Sequence, residues 1–196
     1  MKTKAIISTM AGLFLWASSS QAQGEEVSLL TAKGDCSVND IALESQPGKP
    51  VRINLDLDHS VTGFTSESKS CLVVLEVPHL PEGYRVGVRP LTISGRYQLE
   101  GTGFSRVRVR YHYLRQQAQK RNIQSSWDKD SPKGQTFQLT GEPTIYWGDC
   151  QQTKFVIGTE LIAGGHSDED QAQIGVSSIS FPELFYKKCS IDPLAE

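Results

Sequence analysis

Val51-Arg52-Ile53-Asn54-Leu55-Asp56-Leu57 decides the fold class. Apolar and polar residues alternate without a break, so in an extended chain Val51, Ile53, Leu55 and Leu57 share one face and Arg52, Asn54 and Asp56 the other. Downstream, Cys71-Leu72-Val73-Val74-Leu75-Glu76-Val77 is nearly continuous in apolar residues, the pattern of a central strand buried on both faces. Pro78 closes it, having no N–H to give a ladder. Pro81-Glu82-Gly83 is turn chemistry, and Tyr84 through Val88 begins the next strand.

Further β-runs cover 91–99, 105–114, 136–139, 144–147, 155–162 and 174–181. Gly101-Thr102-Gly103, Ser131-Pro132-Lys133-Gly134, Gly141-Glu142-Pro143 and Gly164-Gly165 separate them. Short strands with regular turn punctuation predict an all-β protein, an antiparallel β-sandwich. Arg115 through Ser126 resists assignment: it is polar and glutamine-rich, and strand extension, short helix and loop all fit it. No repeat or linker divides the chain, so residues 23–196 are expected to form one domain.

The first residues set the compartment. Lys2 and Lys4 precede an apolar run from Ala5 to Trp16, and Ser20 and Ala22 stand at the −3 and −1 places of a leader-peptidase site. Residues 1–22 therefore read as a signal peptide cleaved after Ala22. The run is too short for the ~20 residues that span a bilayer, so membrane insertion is not expected. Cys36 lies well beyond the run, which argues against lipidation, and residues 190–196 are polar with no anchoring tail. No Asn-x-Ser/Thr sequon occurs. The mature chain is expected to be periplasmic or released. Twenty Lys and Arg stand against 22 Asp and Glu, and loss of the leader's two lysines makes the mature chain slightly more acidic. Such a balance does not suit a general nucleic-acid or anionic-membrane binder.

Cys36, Cys71, Cys150 and Cys189 are an even set in an oxidising compartment, which predicts two disulfides. Of three pairings, Cys36–Cys71 and Cys150–Cys189 are expected, because each closes a moderate local loop. The rival, a zinc site, lacks any C-x-x-C pair to chelate the metal.

Several of these segments form a larger pattern: Gly34-Asp35-Cys36; a cysteine-led strand from Cys71 to Val77 followed by Pro81-Glu82-Gly83-Tyr84; Tyr111-His112-Tyr113; Trp147-Gly148-Asp149-Cys150; the strand from Phe155 to Leu161; and Lys187-Lys188-Cys189. In this order the chain resembles the secreted domain-of-unknown-function family DUF4360, over about Val27 to Cys189. The resemblance implies a signal peptide, a β-rich fold and recurrent cysteines, and it implies no catalytic residues. The acidic Asp168-Glu169-Asp170 loop and the very basic strand at 106–110 depart from the pattern.

That basic strand is the leading candidate site. In Ser105-Arg106-Val107-Arg108-Val109-Arg110-Tyr111-His112-Tyr113, alternation puts Arg106, Arg108, Arg110 and His112 on one face. Guanidiniums ~6.5–7 Å apart along a strand suit bidentate grip on carboxylates, sulfates or phosphates. The competing reading pairs these arginines with acids on neighbouring strands. Trp127, in a polar setting beside Asp128 and Asp130, either stacks on a sugar ring or plugs one end of the sandwich. Tyr146 and Trp147 are adjacent and face opposite sides, so one of them belongs to the core.

The loops His166-Ser167-Asp168-Glu169-Asp170 and Asp128-Lys129-Asp130 offer hard oxygen ligands to calcium, but neither has EF-hand spacing. No cofactor is assigned. There is no G-x-S-x-G, H-E-x-x-H or Walker motif, and His59, His79, His112 and His166 are scattered. A non-enzymatic binding module for a polar or anionic ligand, such as a carbohydrate on a cell surface, is expected. A secreted hydrolase with a spatially assembled site, or a secreted effector, toxin or inhibitor, are the alternatives.

Overall fold

A computed structural model describes residues 27–44, 51–77, 82–167 and 169–189. The expected leader (residues 1–22), Pro78, His79, Pro81, Asp168 and residues 190–196 lie outside the described residues. Thirteen strands follow in order: β1 (Ser28–Gly34), β2 (Ser37–Glu44), β3 (Arg52–Gly63), β4 (Ser66–Glu76), β5 (Tyr84–Val88), β6 (Thr92–Glu100), β7 (Phe104–Tyr113), β8 (Arg121–Trp127), β9 (Gly134–Thr140), β10 (Tyr146–Trp147), β11 (Lys154–Gly164), β12 (Gln171–Phe181) and β13 (Leu184–Lys188). A single 3-10 turn, Gln117–Gln119, joins β7 to β8.

The strands form two five-stranded sheets, β1-β4-β11-β7-β8 and β2-β3-β12-β6-β9, with a smaller sheet β10-β5-β13. Every strand pairing is antiparallel. The expected antiparallel β-sandwich is therefore what forms. β11 and β12 are the middle strands of the two large sheets. Their inward residues, Phe155, Ile157 and Leu161 against Ile174, Ile179 and Phe181, lie in one core with Leu55, Ile93, Val107 and Val109. The alternation at 51–57 is realised: Ile53, Leu55 and Leu57 are buried, and Arg52 and Asp56 are exposed.

The reading of Cys71–Val77 is corrected. Cys71, Val73, Leu75 and Val77 are buried, but Leu72 is 40% exposed and Val74 is only partly covered. β4 is an ordinary sandwich strand with one face in the core and one towards solvent. Its outward apolar residues line the outer surface instead of a second core. The unassigned stretch 115–126 divides into the 3-10 turn and most of β8, an edge strand whose Ile123 and Trp127 pack inward. β1, β2 and β13 were not expected from the sequence, and the small sheet was not distinguished from the sandwich.

Both disulfides form as expected, Cys36–Cys71 and Cys150–Cys189, with Cα–Cα separations of 5.5 and 6.0 Å. The first ties the start of β2 to β4, and the second ties the segments that follow β10 and β13 on either side of β5. At the same end, Tyr111, Tyr113, Tyr146, Phe155 and Phe181 form an aromatic cluster. The buried Tyr113 hydroxyl donates to the Val86 carbonyl at 2.9 Å, linking the first large sheet to the small one. Burial raises the Tyr113 hydroxyl's pKa well above its usual value.

The opposite end is held by Asp170. Its carboxylate accepts from Thr102 N and Oγ1 at 2.7 and 2.6 Å, His166 N at 3.2 Å, and Ser167 N and Oγ at 3.0 and 2.9 Å. These bonds, the Thr102 hydroxyl first, hold its pKa well below the usual carboxylate range. Gly101 completes the latch with φ +60°, where a Cβ would collide with that carboxylate.

Candidate functional site

A sandwich spends its inner faces on the core, so outward residues of the sheets are what it can offer a ligand. On β7 the outward residues are Arg106, Arg108, Arg110 and His112, as alternation predicts, while Val107, Val109, Tyr111 and Tyr113 are buried. Their surroundings follow from register. Arg108 sits opposite Glu160 on β11, and its Nη1 reaches Glu160 Oε2 at 3.1 Å. Arg106 faces Ile162 on β11 and Ser126 on β8, and Arg110 faces Gly158 and Asn122. Neither has an acid opposite. The ion pairs among the described residues are Arg89–Glu183, Arg108–Glu160 and Arg121–Glu142. Pairing with a neighbouring acid therefore holds for one arginine of the three.

Gly158 gives this face its shape. It stands outward at the middle of the middle strand, with Leu72 on β4 on one side and Arg110 on the other. A side chain is missing where the sheet would otherwise be covered, and the result is a trough of about 500 Å³. Lys33, Ser70 and Leu72 line one side and Arg108 and Arg110 the other, with Glu160 between them on β11, two residues from Gly158. A second hollow, of about 330 Å³, lies between Arg106 and Arg108 and the polar residues Gln124, Ser125 and Ser126 of β8. The face is long and shallow, rich in cations, and flanked by amides and hydroxyls.

Trp127 occupies the plug position. Its ring stacks on Tyr97 at 4.6 Å and lies 4.8 Å from Phe137, bridging the inward side of β8 to β6 and β9. It packs against the core and is not brought together with the arginine row. Tyr146 is the buried member of its pair, and Trp147 is half-buried beneath Arg85.

The histidines are also placed. His59 is buried, with Nδ1 3.1 Å from the Asp35 carbonyl, and burial lowers its pKa. His112 Nδ1 lies 2.8 Å from its neighbour's carbonyl, on Tyr113. His166 rests against Phe104. Neither His59 nor His112 is hydrogen-bonded to a serine or carboxylate among the described residues. Among the same residues no three His, Cys, Asp or Glu side chains gather as a metal set, and the Asp170 carboxylate is occupied by protein donors.

Sequence reasoning missed both the Gly158 trough and Lys33. The available signal was a glycine in the middle of an apolar strand, which often marks close approach of another group.

No family model matches the chain. No curated protein matches it either. Among solved structures, it is similar to the carbohydrate-binding module TmCBM61, solved with β-1,4-galactotriose, at 11% identity over 80% of this chain and 88% of that one, with a TM-score of 0.30. It is also similar to a family 11 carbohydrate-binding module from Clostridium thermocellum, solved with a β-1,3-1,4-mixed-linked tetrasaccharide, at 11% identity over 80% of this chain and 91% of that one, with a TM-score of 0.28.

Proposed function

We propose that the chain is a non-enzymatic binding module that works outside the cytoplasm, after loss of residues 1–22. Its ligand is an anionic glycan held on the outer face of the first sheet by Arg106, Arg108 and Arg110, with Lys33 across the Gly158 trough. The kinship with DUF4360, resting on motif order, is part of the same proposal. One observation carries the reading: Arg106 and Arg110 stand opposite glycine, isoleucine and small polar residues, with no acid directly across from either, and the nearby Glu160 is paired with Arg108. Such guanidiniums keep their bidentate donors free for carboxylate or sulfate. A compact anion would use one arginine, whereas a linear polyanion can meet all three along ~13–14 Å of strand. The flanking Asn122, Gln124 and Ser126 supply partners for sugar hydroxyls.

The test is native affinity electrophoresis and calorimetry with dextran sulfate and polygalacturonate, comparing the mature protein with Arg106→Ala/Arg110→Ala. Retardation of the wild type by one of these polymers is expected, weakened by added salt. The double variant should lose at least about tenfold in affinity, or ~1.4 kcal/mol. Equal binding by both proteins, or no binding by the wild type, would refute the reading.

A further inference from the structure

The opposite face of the sandwich repeats one feature of the cationic face and changes its chemistry. β12, the middle strand of the second sheet, turns Gly175 outward between Arg96 on β6 and Ser60 on β3. The missing side chain leaves a hollow of about 580 Å³, lined by Asp58, Ser60, Arg96, Gln98, Thr136 and Gln173 among others. All six are exposed.

Irregular pairing frames this hollow. Against β6, β12 shifts register between Val176 and Ser178, so Ser177 has no opposite residue. Against β3 the same point leaves Asp58 without a partner on β12. Bulges bend a strand and re-aim its side chains, and they recur beside functional sites. Here they bracket Asp58 and Ser177 at one end of the hollow. Ser177 Oγ lies 3.3 Å from the Ser94 carbonyl, to which it donates.

The charges at this site are separated. Arg96 has Gly175 and Thr136 as register neighbours and makes no ion pair with a described acid. Asp58 is opposite Ser37 on β2. One wall thus carries a donor-only guanidinium and the other an acceptor-only carboxylate. Gln98, Gln173, Ser60 and Thr136 both donate and accept. β6 and β3 are two strand spacings apart, ~10 Å, enough for a sugar ring to lie over Gly175 with hydroxyls reaching both walls. A charged ligand of either sign would meet its own sign on one wall. A neutral polyol, whose hydroxyls donate and accept, meets no such conflict.

The geometry points to a second binding site on this face, for a neutral, hydroxyl-rich glycan. It is independent of the anionic site and placed back to back with it, so that one module can hold two different polymers at once.

Native affinity electrophoresis of the mature protein in gels containing galactan, mixed-linkage β-glucan, glucomannan or dextran tests this, with dextran sulfate as the contrasting polymer. At least one neutral polymer should retard the wild type. Asp58→Ala/Arg96→Ala and Gln98→Ala/Gln173→Ala replace only exposed side chains, and circular dichroism checks that both variants fold. Each should weaken neutral-polymer binding at least about tenfold and leave dextran sulfate binding unchanged, while Arg106→Ala/Arg110→Ala leaves neutral-polymer binding intact. Three results would overturn the inference: no retardation by any neutral polymer, wild-type binding by both new double variants, or loss of neutral binding in the arginine-row variant. Failure to bind either dextran sulfate or polygalacturonate, with neutral-polymer binding kept, refutes the anionic reading and leaves this one standing.

Discussion

Replacing Gly158 by valine probes the cationic face without altering a charge. A Cβ placed on Gly158 comes no nearer than 3.9 Å to any atom, the closest being the Arg110 carbonyl oxygen and Leu72 Cδ1, and the backbone is not in the left-handed region. The packing around Gly158 therefore has room for a Cβ. Glycine inside a strand is destabilising by roughly 0.5–1 kcal/mol relative to alanine, and β-branched residues suit a pleated surface. Gly158→Val should therefore raise stability by about 0.5–1 kcal/mol, which for a domain of this size is a Tm increase of ~1–4 °C. The same side chain stands between Leu72 and Arg110 and closes the trough. Affinity for dextran sulfate should fall at least about tenfold, ~1.4 kcal/mol. Calorimetric melting and affinity electrophoresis read the two effects on one sample. Wild-type binding by a stabilised variant would show that the trough is not used. A stability loss above ~1 kcal/mol would show that its floor is not open, an outcome expected at an obstructed glycine. Gly95, where a Cβ would collide with the Gly175 carbonyl, is the contrasting position.

Other outcomes follow from the packing. Asp170→Asn keeps the shape of the latch but replaces an acceptor oxygen with a donor NH2, so Tm should fall at neutral pH. Because the wild-type carboxyl titrates below its ordinary 3.8, its contribution is complete above that pH and is lost as the pH falls further. The variant's Tm should show a flatter acid limb between about pH 4 and 2, and an unchanged limb would count against the latch. His59, whose pKa burial lowers from 6.5, stays neutral in the fold while the unfolded chain takes up a proton. Urea midpoints should be constant above that pH and decline below it, and His59→Gln should reduce the decline. Removing the 39-residue link in Cys150→Ala/Cys189→Ala should cost ~4 kcal/mol on the loop-entropy model, read by urea unfolding; a loss under ~1 kcal/mol would argue against that model here. Tyr113→Phe removes one of two donors to the Val86 carbonyl, which keeps the Gly148 N–H at 2.9 Å, and should cost ~0.5–1.5 kcal/mol, read by urea unfolding.

Much of the sandwich was legible because its central strands carry period-two alternation. β6, β7, β11 and β12 lie close to where the sequence places them, and β3 is read over its first half, 52–57, with 58–63 missed. The failures have physical causes. β1 has exposed or half-exposed residues throughout, so it has no apolar period to read, and what places it is its ladder to β4. In β8 the inward slot between Ile123 and Trp127 is Ser125, which breaks the apolar alternation. Cys71–Val77 is over-read because Leu72 and Val74 are apolar yet outward, and Leu72 helps wall a surface trough instead of filling a core. The outward direction of the arginines followed from alternation alone. Whether each faced an acid depended on the register between β7 and β11, and that register joins residues about 50 positions apart, as Arg108 and Glu160 are. No local pattern encodes it.

Four described glycines lie inside strands and away from their ends: Gly87, Gly95, Gly158 and Gly175. Each costs stability relative to a side chain suited to a strand, so each calls for a reason. Two have one in the packing: a Cβ on Gly87 would come within 2.7 Å of the Trp147 ring, and one on Gly95 would strike the backbone of β12. For Gly158 and Gly175 packing supplies no comparable reason. At the first a Cβ would make only ordinary contacts at 3.9 Å, and at the second its nearest neighbour is Ser60 Cβ at 3.3 Å, which would have to give by a few tenths of an ångström. Both occupy the outward position at the centre of a five-stranded sheet, and both have an arginine as register neighbour, Arg110 and Arg96. A ligand that lies against the bare backbone supplies the missing reason at both places, because it needs the space that a side chain would fill. The chemistry around each glycine then separates the two ligands: an excess of cations beside Gly158, where Lys33 and Arg110 have no acid opposite, and opposed charges beside Gly175.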